Sequence, residues 1–144
     1  MTTQNKLSQH TSWLFAFGSI AAGIAVSYAL AGLGQKVTAA VYFAIVALGG
    51  FGATYLTRAR VGGAILTFFV AAAVAGGAYY LLVEELFSAA SSKLSDVGRT
   101  MGIFVAAIVF LETLVAGIAG SVAGVAARGK TGFAAIGHAA RAVQ

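Results

Sequence analysis

The stretch that decides the fold is Met101–Lys130, MGIFVAAIVFLETLVAGIAGSVAGVAARGK. It carries one acid, Glu112, near its middle, and its basic residues, Arg128 and Lys130, stand at its end. Wound as a helix at about 1.5 Å per residue, such a run is longer than the roughly 30 Å hydrocarbon core of a bilayer. The rest of the chain has the same character. Of its 144 residues 60% are hydrophobic and 9% charged, with a mean hydropathy of +0.92, whereas soluble domains carry about 25% charge. The solvent implied is lipid.

Three further apolar runs precede this one. The expected fold is an all-α, polytopic integral membrane protein, a single membrane domain over residues 1–144 built as a four-transmembrane-helix bundle. Its spans are expected at about 13–33, 37–56, 61–83 and 101–127. Lys6, the apolar stretch after it and Ala29-Leu30-Ala31 imitate a cleaved leader, but the length of the stretch favours a retained span. Thr11 or Ser12 offers a cap for the first helix, and Gly34-Gln35-Lys36 a very short turn into the second. Residues 84–100, with Glu84, Glu85, Ser91, Ser92, Lys93, Ser95, Asp96 and Arg99, are expected as a polar loop or short surface helix. Ser95 or Asp96 would then cap the fourth helix. In the tail, 128–144, Phe133, Ile136, Ala140 and Val143 share one helical face, the pattern of an interfacial helix or of a frayed end.

The basic residues set the expected orientation. Lys6, Arg58, Arg60, Arg128, Lys130 and Arg141 fall on the side holding both termini; Lys36, Lys93 and Arg99 fall on the other, among Glu84, Glu85 and Asp96. By the positive-inside rule both termini are cytoplasmic, in an inner (plasma) membrane. Arg58, Arg60, Arg128 and Lys130 are expected as headgroup anchors. Trp13 and Tyr55 at the inner ends, with Tyr28, Tyr79 and Tyr80 toward the outer ones, read as interfacial belts.

Small residues recur at four-residue spacing: Ser19, Gly23, Ser27 and Ala31; Gly49 and Ala53, beside Gly50 and Gly52; Ala72, Gly76 and Gly77. In lipid, helices gain little by hiding apolar surface from one another, so close backbone approach along small-xxx-small seams holds them together. In the fourth span, at about 100° per residue, Val105, Ala116, Ala119 and Ala123 lie on the side of Glu112. Thr113, Gly117, Gly120 and Gly124 form the adjoining stripe, and Ile103, Leu111, Leu114, Ile118, Val122 and Val125 lie opposite. The small side is expected to face protein, taking Glu112 with it, and the bulky side to face acyl chains.

A carboxylate at mid-depth costs at least about 2.5–3.5 kcal/mol on insertion scales, and desolvation favours its neutral form. No Arg, Lys or His lies well inside a span, so the partners expected for Glu112 are hydroxyls such as Thr113, Ser19, Ser27, Thr38, Tyr42 or Thr67, a backbone carbonyl, water, or a residue of another subunit. Two roles follow. The leading expectation is a non-enzymatic membrane subunit or scaffold that assembles with itself or a larger membrane complex through its Gly/Ala seams, with Glu112 and Thr113 as an interhelical hydrogen-bond link. The alternative is a proton- or cation-coupled transport component using Glu112.

The segment Phe110–Gly120, FLETLVAGIAG, resembles the last helix of the four-helix proteolipid subunits of rotary V-type ATPases. The resemblance implies an ion carried on Glu112. It covers about a dozen residues, and the chain departs from the family in placing its longest polar connection between spans three and four.

Other chemistries are excluded by residue content. The chain has no cysteine and no proline, and its two histidines, His10 and His138, lie outside the spans; no metal site and no cofactor are expected. Gly124-Val125-Ala126-Ala127-Arg128-Gly129-Lys130-Thr131 matches the phosphate-loop pattern letter for letter. That loop must follow a strand and open a helix with free N–H groups, and here it leaves a membrane helix. Neither nucleotide nor nucleic acid is therefore expected as a partner, and the lipid bilayer is.

Overall fold

A computed structural model describes the backbone of residues 3–58, 60–90 and 95–141, and the side chains of 10–30, 32–58, 60–89 and 96–129. The described residues form an all-helical bundle without strands. Its helices are α1 (Thr3–Ala29), α2 (Gln35–Tyr55), α3 (Val61–Ala90) and α4 (Ser95–Arg141), with a 3-10 turn, Ala31–Leu33, between α1 and α2. Each of the four contains a stretch long and apolar enough to cross a membrane: His10–Ala29, Gln35–Tyr55, Val61–Ala89 and Asp96–Gly129.

The helices run past most of the expected span boundaries. The first ends at Ala29 instead of Leu33, because the chain reverses through the 3-10 turn and Gly34, whose φ of 98° suits glycine. Gln35 and Lys36 open α2 and do not belong to the turn. Thr11 and Ser12 lie inside α1 and cap nothing. Glu84 and Glu85 do not stop α3, since glutamate is a good helix former where it meets water. The expected polar loop therefore contributes helix at both ends, and only residues 91–94 lie outside the description. Asp96 sits in the first turn of α4, where its charge favours the helix dipole. The tail continues α4 to Arg141; the apolar face expected there, like Lys130 and His138, lies beyond the described side chains.

Matched residues fix the packing. Tyr42 meets Thr113, Gly50 meets Gly117, and Thr54 meets Ser121 and Gly124. The rise together in number shows that α2 and α4 run parallel. By the same reasoning α1 is antiparallel to α2, through Ser19 on Gly49 and Gly23 on Tyr42, and α3 is antiparallel to α4, through Gly76 on Ala106 and Phe68 on Gly117. Around the bundle the order is α1, α2, α4, α3, with α1 and α3 meeting only lightly.

Side-chain size, more than polarity, separates inside from outside. Ala16, Val46, Ala53, Ala64, Phe68, Ala71, Ala72 and Ala116 are buried, while Leu14, Leu48, Leu66, Leu111, Val115 and Val122 are exposed. This is the arrangement a lipid solvent permits, since bulky aliphatics lose nothing against acyl chains and small ones let backbones meet. At adjacent positions Gly49 packs on Ser19 and the Phe15 carbonyl of α1, and Gly50 on the Gly117 carbonyl and Ser121 amide of α4. About 100° of helical rotation separates the two, so α2 is wedged between its neighbours.

Candidate functional site

Polar chemistry concentrates around Glu112. It is half-buried and lines a cavity of about 320 Å³ to which all four helices contribute: Ser27 of α1, Gln35, Thr38, Ala39 and Tyr42 of α2, Tyr79 of α3, and Val109 and Glu112 of α4. Two of its lining residues, Gln35 at the first residue of α2 and Ala39 one turn on, are exposed.

Local sequence explains each placement. Tyr42 packs closely on α1 because Gly23 leaves room for its ring. Ser27 Oγ donates to the Thr38 carbonyl at 3.2 Å, tying the two helices just below their turn. Thr38 Oγ1 donates to the Gln35 carbonyl at 2.9 Å, within its own first turn. Tyr42 is buried, and its hydroxyl shares a 2.7 Å hydrogen bond with Thr113 Oγ1, itself fully buried. Thr113 thus acts one step back from the cavity, holding Tyr42 at its wall.

Glu112 is less deep than its own helix suggests. It lies midway along the apolar stretch Asp96–Gly129 of α4. Through the Tyr42–Thr113 pair, however, it is level with a point only two turns, about 10 Å, from the start of α2. The difference arises because α4 begins well before the α1–α2 turn and overhangs it. Arg99 of this overhang pairs with Glu84 of α3 at 3.8 Å.

Beyond Glu112, toward the end bearing the termini, α2 and α4 close on each other. Gly120 lies against the Ala47 backbone, Gly50 against the Gly117 carbonyl, and Gly124 against Thr54 and the Phe51 backbone. Thr54 Oγ1 adds a hydrogen bond to the Ser121 carbonyl at 3.0 Å. At Gly50 and Gly120 even a methyl group meets backbone, which leaves no width for a hydrated ion between the helices there.

The expected seam residues divide accordingly. Gly23, Gly49, Ala53, Gly76, Gly117, Gly120 and Gly124 are buried, and each of these glycines packs against another helix of the chain. Ser19 packs on Gly49, and Ser27 faces the cavity. Gly77 is the exception, exposed with no atom near the place its Cβ would occupy. Ala31 lies outside the described side chains. On α4 the buried stripe is Thr113, Ala116, Gly117, Gly120 and Gly124, whereas Ala119 and Ala123 are exposed. The protein-facing side is therefore rotated from Glu112 toward Thr113, and Glu112 borders the interface instead of standing at its centre.

Arg58 and Arg60 are exposed at the α2–α3 turn, and Arg58 adopts a left-handed backbone with φ of 55°. Arg128 does more than point outward: its Nη1 donates to the Thr54 carbonyl at 3.2 Å, serving the last turn of α2. The phosphate-loop match from Gly124 to Thr131 lies within continuous α4 helix, where the free N–H groups of that loop do not exist. Gln35, Ala39, Tyr79 and Val109 join the site without having been singled out for it by sequence; Tyr79 had read as an interfacial aromatic.

The chain matches no protein-family model, and no curated protein or solved structure proves similar to it.

Proposed function

We propose that this chain is a non-enzymatic membrane protein that takes up and releases a proton or another small cation at Glu112, reached from the end that carries the α1–α2 turn. The observation that carries this reading is the cavity: the acid of α4 shares it with polar side chains of the other three helices, and its lining includes exposed Gln35 and Ala39 near the start of α2. The close glycine packing of α2 on α4 supports access from one end only. Passage onward requires those helices to part, or a partner to complete the path.

A second reading keeps the chain as a subunit that assembles with itself or with other membrane proteins. Most seam glycines are already engaged within the chain, so assembly by close helix contact falls to open positions such as Gly77, Gly18, Gly62 and Gly63. The excess of basic residues on the terminal side supports placing both termini in the cytoplasm, in an inner membrane or its equivalent.

Two substitutions separate these readings. Glu112→Gln keeps size and hydrogen bonding and removes titration. We expect it to abolish proton or cation uptake into reconstituted vesicles, and to remove a protonated-carboxyl infrared band that responds to pH, while particle size in mild detergent stays that of the unaltered chain. Unchanged uptake and infrared spectrum sink the cation reading. Glu112→Leu, if it breaks up a larger particle that Glu112→Gln preserves, favours the assembly role.

A further inference from the structure

The hydrogen-bond directions around Glu112 restrict what the cavity accepts. A hydroxyl has one proton to donate and two lone pairs to offer. The protons of Ser27 and Thr38 are already directed at the Thr38 and Gln35 carbonyls, so both oxygens face a guest as acceptors. Glu112, once ionised, is also an acceptor only. Together these three acceptors suit a guest that brings both positive charge and N–H donors, while Gln35 and the tyrosines in the same lining can donate as well as accept.

Size adds a second restriction. The cavity of about 320 Å³ lies at the lower end of the range for small-molecule sites and is far larger than a bare metal ion needs. Tyr79 also borders a second cavity of about 490 Å³, between α1 and α3 where these helices meet only lightly. That cleft is lined by apolar and aromatic side chains, among them Phe17, Ile24, Val74 and Leu82. Polar and apolar chambers therefore share one lining residue, Tyr79.

We propose that the two chambers together bind a small lipophilic amine in its protonated form, with the ammonium on Glu112, Ser27 and Thr38 and the hydrocarbon in the α1–α3 cleft. Charge-assisted N–H···O bonds hold the head. The inference rests on the cation-site reading of Glu112 and names its substrate class.

The test is equilibrium dialysis of labelled hexylamine against the full chain in lipid nanodiscs, with empty nanodiscs subtracted. Saturable binding at one site per chain is expected, at least tenfold weaker in Glu112→Gln. Thr38→Val, which removes one acceptor and leaves the acid, should weaken binding three- to tenfold, so the idea stays testable if the Glu112 variant fails to fold. Hexanol should not compete, and hexyltrimethylammonium, which has charge but no N–H, should bind at least tenfold more weakly. Ala78→Phe, filling the exposed side of the cleft, should weaken hexylamine while leaving methylammonium unaffected. Absence of saturable hexylamine binding, or equal binding of the trimethyl analogue, overturns the proposal. If hexylamine fails while the Glu112 infrared band still responds to pH, the amine assignment falls and the proton site stands; if both fail, both readings fall.

Discussion

Replacing Gly50 by alanine tests the α2–α4 contact on which the site depends. A Cβ at this position would stand 2.5 Å from the Gly117 carbonyl oxygen and 3.0 Å from the Ser121 amide, where ordinary contact begins at 3.4 Å. Both neighbours are backbone, so no rotamer relieves the clash and the helices must separate by about 0.9 Å at the nearest atom. Carried rigidly along the pair, that shift lengthens the 2.7 Å Tyr42–Thr113 bond and the 3.0 Å Thr54–Ser121 bond beyond hydrogen-bonding range. Overpacking costs about 1–3 kcal/mol, and interhelical hydrogen bonds in membranes contribute roughly 0.6 kcal/mol each. Against this stands a helix-propensity gain of about 0.5–1 kcal/mol for glycine to alanine. The net expectation is a loss of about 2 kcal/mol. Gly77→Ala, at an open and exposed position, should be neutral or stabilising by up to about 1 kcal/mol. Equilibrium unfolding in mixed micelles with added SDS, followed by helical circular dichroism and by the single tryptophan, Trp13, measures both. Equal stability of the two variants would refute the reasoning.

Two further expectations follow from the same geometry. Arg58→Gly removes a side chain from a left-handed backbone that costs roughly 1–2 kcal/mol and should raise stability in the same unfolding assay by about 0.5 kcal/mol after glycine's added chain entropy; a loss of stability would show that the Arg58 side chain contributes more than its backbone costs. Because the chain has no cysteine, single cysteines report orientation cleanly: at Lys36 a membrane-impermeant maleimide should react in intact cells and at Arg60 only after lysis, and the reverse pattern would invert the topology.

The four helices were legible because each apolar run is long enough to leave no soluble alternative, and Glu112 stood out as the acid within a span. Ser27, Thr38 and Tyr42 were also legible as its neighbours, being among the hydroxyls the spans contain; Ser19 and Thr67 belong to the same group, yet neither lines the cavity. Depth was not legible. A helix read alone gives a residue's distance from its own ends, and only the pairing of Thr113 with Tyr42 shows how far α4 is displaced along α2. Tyr79 was missed for the same reason: its role depends on α3 standing across from α1, whereas its position near a span end is what any interfacial aromatic shows. α3 and α4 extend beyond the expected spans because glutamate, serine and aspartate mark departure from lipid, which a helix survives. The offset was present in the sequence as glycine spacing, since Gly49 and Gly50 face different helices, but which glycine meets which partner is a three-dimensional fact.

The light contact between α3 and its two predecessors bears on how the molecule is made. In the finished bundle α1 and α2 share an extensive surface, whereas α3 meets α4 far more than it meets α1 or α2, so α3 is expected to dock only once α4 joins it. Of the four helices α4 is thus the keystone, packing on both α2 and α3. It brings the acid with it, so the pocket's charge arrives only when the walls meant to receive it are in place, and a chain cut short before residue 95 is left with a hairpin and an unattached third helix.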